Sequence, residues 1–115
     1  MTFELVDLED LGERAVGDFS ASIAANGPAG TAQLEGAAGQ LAAKVQFAYG
    51  VAAKLAGREQ TLESTAAVWA KMTDFCDHAA RQVRELAARH PACKVSLDRI
   101  LDFRNAAEKR RALHA

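Results

Sequence analysis

Both cysteines and two of the three histidines of the 115-residue chain fall in one stretch, residues 75–93, FCDHAARQVRELAARHPAC. Cys76-x-His78 followed by His90-x-x-Cys93 offers the thiolate and imidazole donors that zinc prefers, of which a structural site takes about four, converging at short range. The spacing argues against such a site. Residues two apart on a helix point roughly 200° from one another. Cys76 therefore shares a line with Trp69 and Ala80, while His78 points among Lys71, Asp74, Arg81 and Glu85. Only His90 and Cys93 remain near one another. The expectation is that Cys76 is a small core hydrophobe, that Cys93 is a free thiol in a turn, and that no metal or cofactor is held.

Two further stretches invite comparison with known chemistry. His78-Ala79-Ala80-Arg81-Gln82 places an outward histidine in the middle of a helix and resembles the His-x-x-Lys-Gly motif of histidine phosphotransfer domains. In those domains the lysine assists the phosphate and the glycine gives a partner access. Arg81 supplies a base at the lysine position, but Gln82 stands where the glycine belongs and crowds the approach. Arg84-Glu85-Leu86-Ala87-Ala88-Arg89-His90 resembles the ribonuclease motif of HEPN domains, in which an arginine and a following histidine act on the ribose hydroxyl and the phosphate. Glu85 takes the place of the usual small polar residue, and its carboxylate repels RNA. His90 precedes Pro91, at a helix end rather than inside a groove. The related Arg104-Asn105 pair has Lys109 and Arg110 where its histidine would stand. No catalytic residue is assigned on these grounds; an HEPN-like ribonuclease is the enzymatic alternative.

Other chemistries lack their parts. No serine, histidine and acid are spaced for a triad. Asp74 and Asp77 have no matching acids or Glu-x-x-His on a second helix, as a di-metal bundle site requires. Asn26-Gly27-Pro28-Ala29-Gly30 has neither the lysine nor the preceding strand of a phosphate-binding loop.

The elements that must position these residues are helices. Half the residues are apolar and 25% are charged, a globular balance, and aromatics make up only 6%. A chain of this length is expected to form one domain with its own core. The 26–30 cluster and His90-Pro91 punctuate it, with a softer break at Gly57. A first helix over 8–25 follows Asp7 as N-cap, with Val6 placed to staple onto Leu11 and residues 3–6 as a short extended lead. Its stripe is Leu8, Leu11, Ala15, Phe19 and Ile23. The second helix, 31–56, carries Leu34, Ala38, Leu41, Val45, Ala48, Ala52 and Leu55 on its core side. The third, 61–90, aligns Leu62, Thr65, Trp69, Met72, Cys76, Ala80, Val83 and Ala87, widened by Val68, Phe75, Ala79 and Leu86. So broad a face must touch more than one neighbour. The fourth, 97–113, follows Ser96 as N-cap with Val95 and Ile100 as a staple. Leu97, Ile100 and Leu101 begin its stripe, but Arg104, Glu108 and Arg111 continue it. Its first half is expected to dock and its second half to run out along the surface or beyond it. The architecture that fits is an all-α, antiparallel four-helix bundle with a partly protruding C-terminal helix.

Two surface features point to partners. On helix 2, Gly36, Ala43, Gly50 and Gly57 recur every seven residues away from the core stripe, flanked by Gly39 and Phe47. A glycine inside a helix costs about 1 kcal/mol relative to alanine, so glycines gathered on one side imply a compensating contact. That contact is expected first from a neighbour within the bundle, and alternatively from a second copy or another protein across Gly36, Ala43, Phe47 and Gly50. The second feature is charge. Residues 1–35 hold seven acids against Arg14 alone, and residues 94–115 hold six bases against three acids. Arg104, Lys109, Arg110 and Arg111 form a basic tail suited to an anionic partner, whether phosphate, an acidic protein surface or the first helix of another copy. Bases near a helix C-terminus are also explained by the helix dipole.

The net charge of −1 argues against a surface built for nucleic acid, and no aromatic residue interleaves the tail beyond Phe103. The acidic start lacks the features of a signal peptide, and the most apolar stretch, 36–57, is interrupted by Gln40, Lys44, Gln46 and Lys54. Two cysteines without an export signal suggest reduced thiols. The reading is a cytoplasmic, bacterial, non-enzymatic protein that binds another protein or itself, as an adaptor, an immunity or antitoxin-like protein or an assembly subunit. Nucleic-acid binding is the alternative.

Overall fold

Four helices account for nearly all of the computed structural model, which describes residues 4–25 and 31–113. They are α1 (Leu5–Ala25), α2 (Thr31–Arg58), α3 (Leu62–Arg89) and α4 (Lys94–Leu113), with one 3-10 turn, Pro91–Cys93, between the last two. No strand occurs among the described residues. The breaker cluster at 26–30 and residue 3 of the proposed extended lead 3–6 lie outside them, while Leu5 and Val6 of that lead are helical rather than extended. No helix is long and apolar enough to cross a membrane.

The helix starts differ from expectation for reasons of capping. Helix α1 begins at Leu5 rather than residue 8. The Glu4 carbonyl accepts from the Asp7 and Leu8 amides at 3.0 and 3.3 Å, and the Glu4 amide donates to Asp7 Oδ2 at 2.7 Å. Asp7 is therefore the third residue of the helix, reaching back as in a capping box, and is not the cap itself. Val6 consequently lies on the exposed side and staples nothing. Helix α3 starts as its sequence suggests: Thr61 is extended (φ −121°, ψ 155°) and its Oγ1 accepts from the Ser64 amide at 3.0 Å. At its end the His90 amide donates to the Leu86 carbonyl at 2.8 Å, and Pro91 cannot extend the ladder. Helix α4 begins at Lys94, not after Ser96. The 3-10 turn that Pro91 starts feeds directly into it, so Ser96 is buried in its first turn and Val95 is exposed instead of meeting Ile100.

Packing follows the stripes. Helix α1 lies against α2 and α3, α4 lies against α2 and α3, and α2 packs on α3, whereas α1 and α4 do not touch. The result is a flat antiparallel bundle of 49 × 27 × 15 Å with α2 and α3 as its short diagonal. The predicted lines of α2 are buried, as are those of α3 apart from exposed Leu62 and half-buried Ala87. Trp69, Met72, Leu41, Val45, Val68, Val83 and Ile100 form the sealed centre. Each large apolar side chain buried there contributes roughly 1.5–3 kcal/mol relative to exposure. The hydroxyl of Thr73 fits this apolar setting by donating to the Trp69 carbonyl one turn back, at 2.9 Å.

Helix α4 docks over more of its length than its charged residues suggest. The line that meets α2 is Ile100, Phe103, Ala107 and Arg110, at spacings of three and four, with Ile100 and Ala107 fully buried. Arg104, half-buried, flanks this line, and Arg110 ends it with its guanidinium over the Trp69 ring, the way long basic side chains cover apolar surface. Protrusion is confined to the last turn, where Leu113 is 79% exposed.

Candidate functional site

The four residues of the opening stretch are dispersed. Cys76 and Cys93 are both free and buried, and His78 faces outward as the helical geometry requires. Cys93 is not an accessible turn thiol: the 3-10 turn rolls it under the bundle, against α2 and α3. Burial, with the nearby Asp77 carboxylate adding to it, pushes the Cys76 thiol up to about 12. Burial and then Glu35 push Cys93 up as well. Protonated thiols of this kind are poor nucleophiles and poor ligands. Among the described residues no three metal-binding side chains converge.

The two catalytic resemblances gain no supporting geometry. Gln82 is half-buried on the wall of the α1–α3 interface, beside Phe19 and Leu86, and His78 one turn earlier is exposed. Arg84 and Glu85 are exposed, and among the described residues no hydrogen bond or ion pair joins Arg84 to His90.

Of the basic tail, three of four residues are engaged inside the chain. Arg104 Nε pairs with Asp77 Oδ1 at 3.0 Å. Arg110 Nε donates to Tyr49 Oη at 3.0 Å, and its guanidinium lies 5.2 Å from the centre of the Trp69 ring. Tyr49 in turn packs at 5.2 Å from Trp69 and 5.3 Å from Phe103. Arg111 pairs with Glu108, which holds that carboxyl below its ordinary range. Lys109 is exposed. The tail thus fastens α4 to α2 and α3. The acidic front does not meet it: Glu9 pairs with Lys71 at 2.9 Å and Asp18 with Lys44 at 3.3 Å.

The seam on α2 is where the structure departs most usefully from expectation. Among the described residues no neighbour lies over its glycines. A Cβ placed on Gly36, Gly50 or Gly57 would meet nothing within 4 Å, and one on Gly39 would only reach the Ser96 hydroxyl at 4.0 Å. Gly36, Ala43, Phe47 and Gly50 are all exposed, Phe47 by 57%. At 100° per residue they fall within 60° of one another, so they form one strip along the outer side of α2, between α1 and α4. Beside Phe47 an apolar groove of about 350 Å³ opens toward α1, floored by Leu11, Ala15 and Ala43 and rimmed by Arg14, Asp18 and Lys44.

A second groove, about 520 Å³, lies on the other side of α1, where it meets α3. Its origin is Gly12. A Cβ there would sit 3.2 Å from Phe75 Cγ, so the glycine lets the ring lie against the α1 backbone. Glu9, Glu13, Lys71, Asp74 and His78 line the edges. The Glu9 carboxylate raises the Lys71 ammonium above its ordinary value, keeping it a fixed cation. These charges surround a shallow apolar floor without a nucleophile or a converging pair of acids. The sequence signal was present, since Gly12 falls on the Leu8, Ala15 and Phe19 line. Comparison with protein-family models, curated proteins and solved structures gives no match.

Proposed function

We propose that this chain is a non-catalytic interaction module of the cytoplasm that binds another protein, or a second copy of itself, through the outer side of α2. One observation carries the reading: Phe47, 57% exposed, stands in a strip where a Cβ added at Gly36 or Gly50 would meet nothing within 4 Å among the described residues. Exposed single apolar residues are ordinary. An aromatic beside an apolar groove, on a helix that pays for glycine without an internal contact, is better explained by a surface that is covered part of the time. Aromatic side chains of this kind are the usual energetic centre of protein interfaces. The buried, protonated thiols and the dispersed histidines support the non-catalytic half of the reading.

The variant Phe47→Asp tests it. Helicity by circular dichroism is expected to be unchanged, because Phe47 is outside the core, while association is lost. Association is measured by light scattering for self-pairing and by affinity capture from the native source for a different protein. Collapse of the fold would place Phe47 in the core and remove the argument, and unchanged association would equally sink it.

A further inference from the structure

We infer that the groove between α1 and α3 receives a helix of a partner protein, apolar along one side and carrying lysine or arginine on the flanks of that side. The site is separate from the α2 strip, because this groove opens on the other side of α1. Its floor is Leu8, Gly12, Val16 and Phe75. From Leu8 to Gly17 it runs about 14 Å at 1.5 Å per residue, between two and three helical turns. The shape suits a helix. Two adjacent helices leave a furrow on each side, and α2 already fills one furrow by packing on both α1 and α3. The opposite furrow has the same two walls, and α4 does not enter it, since α4 does not touch α1. One end is open to close approach, because a Cβ added at Gly17 would meet nothing within 4 Å. An extended peptide finds no strand edge to pair with among the described residues. The remaining mode is a helix in a groove, anchored by apolar residues at i, i+3, i+4 and i+7.

Charge selects the flanks. Three acids, Glu9, Glu13 and Asp74, edge the groove against one base, Lys71. Glu9 takes that base at 2.9 Å. Glu13 on the α1 wall and Asp74 on the α3 wall are exposed, and neither forms an ion pair among the described residues. The Asp74 charge does reach Lys71 and Arg111, raising both, but those bases are bonded to Glu9 and Glu108. Each wall therefore presents a carboxylate without a paired base, with an apolar floor between them. Bases flanking an apolar stripe complete this pattern. The phosphates of nucleic acid or of an anionic membrane are repelled by it.

Binding of a labelled synthetic helix to the full chain, followed by fluorescence anisotropy, tests this. The peptide carries leucine at i, i+3, i+4 and i+7 with lysine beside the leucines, and its control carries glutamate in place of lysine. The lysine peptide should bind and the glutamate peptide should not. Glu13→Lys combined with Asp74→Lys should weaken binding by about tenfold. Glu59→Lys combined with Glu63→Lys makes the same change in net charge outside the groove and should leave binding as it was. Backbone amide shifts of Gly12, Val16 and Gly17 should move as the peptide is added. A lysine peptide that does not bind, equal binding of both peptides, or equal losses from the two charge-reversed pairs would overturn the inference. Phe47→Asp should leave peptide binding unchanged. A loss there, with no effect of the Glu13 and Asp74 pair, would move the peptide to the α2 side and overturn this inference while leaving the α2 reading standing.

Discussion

Replacing Gly36 and Gly50 together by alanine puts a number on the openness of α2. Both glycines lie inside the helix, neither has a positive φ, and an added Cβ at either meets nothing within 4 Å. The substitution therefore gains helix propensity with no steric offset, about 1 kcal/mol at each position. The sites are four turns apart, about 21 Å at 1.5 Å per residue, so the gains should add to about 2 kcal/mol. For a domain of this size that corresponds to a rise in Tm of roughly 8 °C. Urea unfolding followed by circular dichroism and by Trp69 fluorescence, at a dilution where the chain is monomeric, measures it. The slope with denaturant should be unchanged, because the surface exposed on unfolding is the same. A neutral or destabilising result would mean that something in the isolated chain already occupies the outer side of α2, and the description of the seam would be wrong.

Three further outcomes are expected. Cys76 has a folded value raised from 9.0 to about 12, so the stability it confers is complete below about pH 9 and is lost as pH rises from 9 to 12. At about 1.4 kcal/mol per unit this amounts to about 4 kcal/mol in all. Cys76→Ala should flatten that alkaline decline in urea titrations, whatever its own cost at pH 7. Arg110→Ala should cost about 1 kcal/mol through loss of the Tyr49 hydrogen bond and the contact with Trp69, with a change in Trp69 emission reporting the loosened end of α4. Thr61→Ala should cost about 1 kcal/mol in thermal unfolding and Thr61→Asp much less, because the side-chain oxygen caps α3 at Ser64.

Apolar spacing made much of the bundle legible. The α2 and α3 lines, the inward Cys76 and the outward His78 all follow from 100° per residue, and the structure keeps them. The helix starts were harder to read because capping is reciprocal. Asp7 has the chemistry of an N-cap, but Glu4 takes that place once its amide finds the Asp7 carboxylate. Ser96 likewise lost its cap role to a turn started by Pro91. The second half of α4 misled for a different reason. Its docking line passes through Phe103, Ala107 and Arg110, and an arginine counts as polar in any pattern although its stem packs and its guanidinium lies over Trp69.

The candidate site divides along the same boundary. Residue types and spacing by themselves determined that Cys76 and His78, two apart on one helix, cannot share an ion, and that small residues gather on one side of α2. Those are properties of a single helix, fixed by its pitch. Tertiary structure alone decided what stands opposite that side. Placing α1 and α4 apart, each wedged against both α2 and α3, leaves Gly36 and Gly50 on the outer side of α2 with no described neighbour over them, where an internal contact was expected. The same placement drew the basic tail inward to Asp77 and Tyr49. Helix periodicity states which residues share a side; only the arrangement of all four helices settles which sides remain for a partner.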